Sequence, residues 1–99
     1  MIRECKASDL ETLEVYLKEE VYGKVILSLI EKNGFEQADQ SVYGDFEEGV
    51  CKGGYLCIYK NLLLYCKENQ VDIDFLEQIV SMQVPEVVAG RPDNVNVIS

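Results

Sequence analysis

The chain has 99 residues, with nine Lys and Arg against eighteen Asp and Glu, for a net charge of −9; a chain of that length supports one core, burying roughly 60 to 65% of the unfolded surface, and not two. The negative charge repels nucleic acid and anionic lipid headgroups, and no stretch has the ~18 consecutive apolar residues of a membrane span. Residues 1–11, MIRECKASDLE, are too polar and acidic for a signal peptide, so the expected setting is the cytoplasm.

Residues 1–5 alternate apolar and polar as a short strand does. Ser8 followed by Glu11 fits a capping box, with Asp9 adding charge suited to the helix dipole. Leu10, Leu13, Tyr16 and Leu17 then trace one helical face. The pattern slips between Glu19 and Gly23, and a second face opens with Tyr22, Val25, Ile26, Leu29 and Ile30 until Asn33-Gly34 supplies a left-handed stop. Two helices with a short join fit this stretch, and so does one long helix bent near Gly23, because an interior glycine costs only about 1 kcal/mol.

A strand is expected at residues 41–46, a turn at Glu47-Glu48-Gly49, and then a tyrosine-rich run. Gly53-Gly54 fits a bulge or close backbone approach, and equally a flexible loop. Residues 55–66 are apolar on both alternating faces apart from Lys60-Asn61, as strands covered on both sides are. A helix is expected over residues 71–82, with Asp72 as N-cap and Ile73, Leu76, Ile79 and Val80 at helical intervals. Val87-Val88-Ala89 reads as a strand closed by Gly90, and residues 92–95 as the first turn of another helix with Pro92 at its tolerated position.

The sum is a single α+β domain over residues 1–99. A mostly antiparallel mixed sheet of about five strands carries helices on both faces, in the order β-α-α-β-β-β-α-β-(α).

The carboxylates fall mostly at helix starts and turns, whereas a nucleic-acid mimic spreads them evenly. Cys5, Cys51, Cys57 and Cys66 show no CxxC spacing, and without histidine neither zinc nor Cys-His chemistry has its usual residues. A tight reversal near Lys60-Asn61 would place Cys57 and Cys66 close across two strands, open to a disulfide, although a cytosolic setting favours reduced, buried thiols. Asp45, Glu47 and Glu48 near a strand end suit either a general base or a solvated turn.

The order of elements and the opening IRxxxxxDLExL resemble the GNAT superfamily of acetyl-CoA-dependent N-acetyltransferases. IEKNGF at residues 30–35, VYGDF at 42–46 and IYKNLLLY at 58–65 are similar to the amino-terminal portion of two-part Gram-positive bacterial members. The likeness covers residues 1–94 as scattered short motifs. It implies acetyl-CoA as the family's cofactor and a catalytic GNAT domain as partner. The family's pyrophosphate loop, Q/R-x-x-G-x-G/A, corresponds to residues 66–74, CKENQVDID, which have no glycine. The family's catalytic tyrosine falls beyond the last residue here. Glu68, Asp72 and Asp74 set negative charge where a diphosphate would sit, each close like-charge contact at ~4 Å costing about 4 kcal/mol at an effective dielectric of ~20. Lys67 offsets only part of it.

The expectation is therefore an N-terminal, non-catalytic GNAT-like domain, with no catalytic, cofactor or metal residues of its own, that packs on a catalytic half. The alternative is a stand-alone interaction module forming a homo-oligomer through an open sheet edge. Tyr22, Tyr43, Asp45, Tyr55 and Tyr59 are the candidate substrate or interface residues; tyrosines suit interfaces, and equally a core without tryptophan.

Overall fold

The computed structural model describes residues 1–97. Its elements are β1 (Ile2–Glu4), α1 (Leu10–Leu17), α2 (Val21–Asn33), β2 (Gln40–Glu47), β3 (Val50–Ile58), β4 (Asn61–Tyr65), α3 (Ile73–Gln83), β5 (Val87–Gly90) and α4 (Pro92–Asn96). The sheet runs β1-β2-β3-β4-β5 in space as in sequence. Its first four strands are antiparallel, and β5 joins β4 in parallel after the α3 crossover. This is the α+β, mixed-sheet architecture that the order of elements predicts.

Alternation along the strands splits the core into two layers. On one face Val42, Cys51, Leu56 and Tyr65 meet Leu13 and Leu17 of α1 and Ile26, Leu27 and Ile30 of α2. On the other, Tyr55, Cys57, Leu62, Leu64 and Cys66 meet Leu76 and Ile79 of α3, with Val95 of α4 packed against them. Both faces of β3 and β4 are thus covered, which accounts for the unbroken apolar run there.

The helix starts divide between expectation and surprise. Asp72 caps α3 as expected, its carboxylate accepting from the Phe75 amide at 3.0 Å. Ser8 does not cap α1. A short 3₁₀ turn over Ala7–Asp9 precedes that helix, and Asp9 accepts from the Lys6 amide at 2.9 Å while Arg3 holds it with two bonds of 2.8 and 2.9 Å. The extra turn moves the acceptor one residue along, and the arginine fork fixes it there.

The break after α1 is real, giving two helices rather than one bent helix. A Cβ on Gly23 would lie 2.2 Å from the Leu17 carbonyl oxygen, so only glycine lets the second helix cross the end of the first. That contact turns α2 so that Gly23, Ile26, Leu27 and Ile30 face inward. Tyr22 and Val25, expected on the buried face, are exposed instead. At the far end Gly34, at φ 75°, donates to the Ile30 carbonyl, and buried Gln40 donates to the carbonyls of Leu29 and Gly34.

The glycine pair in β3 marks a bulge. Asp45 pairs with Gly53 and Phe46 with Cys51, leaving Lys52 as the extra residue. The β3–β4 reversal falls at Tyr59-Lys60, one residue before the expected place; Cys57 faces Leu62, and Cys66 lies four residues further along. All four cysteines are free and buried.

Candidate functional site

Two regions carry polar chemistry: the turn from β4 into α3, and a cleft beside α1. The turn is built from residues far apart in sequence. Asn94, 0% exposed, presents its carboxamide to Cys66 as another strand would: Oδ1 accepts from the Cys66 amide at 2.9 Å and Nδ2 donates to the Cys66 carbonyl at 3.0 Å. The same Nδ2 donates to Asn69 Oδ1 at 2.8 Å. The Lys67 amide donates to the Tyr16 hydroxyl at 2.8 Å, the Asn69 amide to the Cys66 carbonyl at 3.0 Å, and the Asp72 amide to the Tyr55 hydroxyl at 3.0 Å. Four of the amides that could face a ligand are therefore consumed inside the fold.

Arg91 seals the other side of this turn. Its guanidinium donates to the carbonyls of Cys66 and Lys67 at 3.0 and 2.8 Å, to Glu20 at 2.8 Å and to Asp93 at 2.7 and 2.8 Å. It also lies over the Tyr65 ring, 5.7 Å from its centroid. Tyr65 in turn donates to Glu20 at 2.8 Å. The Lys67 ammonium is paired with Glu19 at 2.8 Å. A diphosphate would meet Glu68, Asp72 and Asp74 with that lysine already engaged and no glycine for close approach. These residues do not fit acetyl-CoA's diphosphate.

The cleft is a cavity of about 660 Å³ between α1 and the β2–β3 hairpin. Val15 and Val50, 58% and 55% exposed, and the half-buried Tyr16 form its apolar lining. The Tyr16 hydroxyl donates to the Lys52 carbonyl at 2.9 Å, which ties the bulge to the β4 exit through the Lys67 amide. Burial pushes the Tyr16 phenol up from its usual range, so it stays protonated at neutral pH and works as a fixed strut. Lys52 is half-buried and forms no ion pair among the described residues; every other lysine is exposed.

Of the residues singled out from sequence, Tyr43 and Tyr55 are brought together, and the five do not form one cluster. Tyr43 and Tyr55 face one another across β2 and β3 and both pack on Phe75, with ring centroids 5.0 and 5.1 Å away. Tyr55 is 0% exposed, so its hydroxyl serves the interior, reaching the Asp72 amide and lying 3.5 Å from Cys66 Sγ. Tyr43 lines a smaller cavity with Arg3, Glu4, Asp72 and Asp74. Asp45 is paired with the Met1 ammonium at 2.8 Å. Tyr22 is on α2, and Tyr59, 71% exposed at φ 54°, is at the tip of the β3–β4 hairpin. Glu47 and Glu48 form a solvated turn, with Glu48 and Gly49 both at positive φ.

Burial raises all four thiols, Cys5 to about 12 and Cys51 and Cys57 to about 11, so none supplies a thiolate nucleophile near neutral pH. Among the described residues no group of three His, Cys, Asp or Glu side chains is placed to hold a metal ion, and no helix is long and apolar enough to cross a membrane. Sequence reasoning missed the roles of Tyr16, Lys52, Arg91 and Asn94, which depend on partners 24 to 71 residues away; an Asn two residues after Pro92 gave no local signal.

Compared with protein-family models, curated proteins and solved structures, the chain matches none of them.

Proposed function

We propose that this chain is a non-catalytic domain of GNAT-like construction that acts by binding a catalytic acetyltransferase half rather than by binding acetyl-CoA itself. The observation that carries the reading is the state of the β4–α3 turn. The amides of Cys66, Lys67, Asn69 and Asp72 are held by Asn94, Tyr16, Cys66 and Tyr55, and the exposed remainder carries Glu68 and Asp74. A turn organised to satisfy itself contributes rigidity to a scaffold and offers little to an anion. The order of elements and the motifs at residues 30–35, 42–46 and 58–65 supply the link to acetyltransferases. The bacterial cytoplasm is the compartment proposed, in keeping with four unpaired cysteines.

Calorimetric titration of the 99-residue chain with acetyl-CoA tests the central point. The expected trace shows dilution heat alone. A saturable isotherm at micromolar concentration would overturn the proposal, since it requires the turn to release its internal partners.

A second reading, a homo-oligomeric interaction module, draws on β5. Among the described residues that strand ends the sheet and pairs with β4 alone, and Val87 is 50% exposed. Sedimentation equilibrium decides between them: a dimer whose β5 amides are protected from exchange favours the module, and a monomer across the micromolar range favours the docking domain.

A further inference from the structure

The cleft between α1 and the β2–β3 hairpin shares Tyr16, Lys67 and Glu68 with the β4–α3 turn, and its construction is that of a site. A bulge re-aims a side chain out of the regular pleat, and here the bulged residue is Lys52, the one half-buried lysine. The bulge is held by the Tyr16 hydroxyl on its carbonyl, so the lysine backbone is fixed at the cavity wall. The cavity, about 660 Å³, falls within the range of small-molecule sites, and Val15, Val50 and the Tyr16 ring give it an apolar lining.

Its charges restrict the ligand. Lys67 and Glu19 neutralise each other across the wall. Among the described residues that leaves the Lys52 ammonium, and likewise Glu11 and Glu68, without an ion-pair partner on the same cavity. Glu47 and Glu48 line the neighbouring depression that Lys52 also borders, and deepen the negative potential around it. A simple carboxylate gains Lys52 and is opposed by the glutamates. A simple amine gains the glutamates and is opposed by Lys52. A molecule with both charges on one carbon beside an apolar body satisfies all three elements of the lining, and a free α-amino acid has that arrangement.

We propose that this cleft binds a free apolar α-amino acid, its carboxylate on Lys52, its ammonium toward Glu11 and Glu68, and its side chain against Val15, Val50 and Tyr16. Binding transfers no group and needs no co-reactant. It gives a domain without chemistry of its own a means of responding to a small metabolite.

The test is a titration of the ¹⁵N-labelled 99-residue chain with L-phenylalanine, followed by amide shifts, beside phenylacetate and phenethylamine, which carry one charge each. The expected result is a saturable shift at Val15, Tyr16, Val50 and Lys52. Each single-charge analogue should bind about tenfold more weakly or worse, as loss of one charge-assisted contact implies. Lys52→Met keeps the aliphatic stem and should lower phenylalanine affinity by a similar factor with the remaining spectrum unchanged. Should that variant fail to fold, Glu11→Gln combined with Glu68→Gln, both at exposed positions, should weaken phenylalanine and leave phenylacetate no weaker. Shifts that never saturate, shifts centred elsewhere, phenylacetate binding as tightly as phenylalanine, or undiminished binding by a folded Lys52→Met variant each overturn the proposal.

Discussion

Replacing Asn94 by alanine removes a side chain that acts as a piece of β-sheet. In the intact fold its amide gives Cys66 one donor contact and one acceptor contact, and reaches Asn69 as well. The two ends of Cys66 are not equally exposed to the loss. The Cys66 carbonyl keeps the Arg91 guanidinium at 3.0 Å and the Asn69 amide at 3.0 Å, so it remains satisfied. The Cys66 amide, in a residue 0% exposed, loses the acceptor that Asn94 supplies. An orphaned buried donor costs about 1 to 3 kcal/mol, and the lost bond to Asn69 adds roughly 1 kcal/mol, giving about 2 to 4 kcal/mol in all. Against the roughly 5 to 15 kcal/mol expected for a domain of this length, that is a large fraction. Urea unfolding followed by far-UV circular dichroism measures it, with the slope unchanged and the midpoint lowered. Asn94→Asp sharpens the test. Its carboxylate keeps an acceptor for the Cys66 amide but turns a second oxygen toward the Cys66 carbonyl and Asn69 Oδ1. The introduced carboxyl is therefore held above its ordinary range, and the variant should recover stability as pH falls and it becomes a donor. A loss below about 0.5 kcal/mol in the alanine variant would refute the view that this side chain completes β4.

Asp9 sits at about 2, below the carboxylate value of 3.8, chiefly through its hydrogen bonds from Arg3. Its folded value being the lower one, the interaction is fully present above pH 4 and is lost as pH falls from 4 toward 2. The urea midpoint of the native chain should drop over that window, and Asp9→Asn should flatten that part of the profile; an identical slope in both proteins would assign the acid sensitivity to other carboxylates. At the C-terminal end of α3, Val84 is β-branched yet left-handed at φ 44°, and 64% exposed. Val84→Gly should therefore raise stability by about 1 kcal/mol, read as an upward shift in thermal midpoint, because glycine takes this conformation freely and little burial is lost; a fall in midpoint would show that the valine contributes packing.

The sequence disclosed what local rules govern. Asp72 specified a cap and Leu76 and Ile79 a buried helical face, and both stand, whereas Ile73 and Val80, expected on the same face, are each 39% exposed. A nearly unbroken apolar run over β3 and β4 specified strands covered on two sides. It misled where two local solutions are nearly equal. Either of two overlapping stripes on α2 could face the core, and the approach of Gly23 to the Leu17 carbonyl across the α1–α2 join chose between them. Ser8 and Asp9 are both competent caps, yet neither side chain caps α1: Arg3, reaching from β1, and the Lys6 amide hold the Asp9 carboxylate instead. The cleft was illegible for the same reason: α1, a hairpin and the β4 exit each contribute a few residues, and none is distinctive until the fold assembles them.

The sheet's order, identical in space and in sequence, bears on how the chain finds its structure. The three middle strands are joined by two-residue reversals, so their pairing closes short loops. Strand β1 must instead meet β2 across two helices, Ile2 against Asp45, and β5 must return to β4 across a third, Val87 against Asn61. Closure entropy grows with the logarithm of the intervening length, which orders assembly from the meander outward. The margins of the sheet are thus the last ground won in folding.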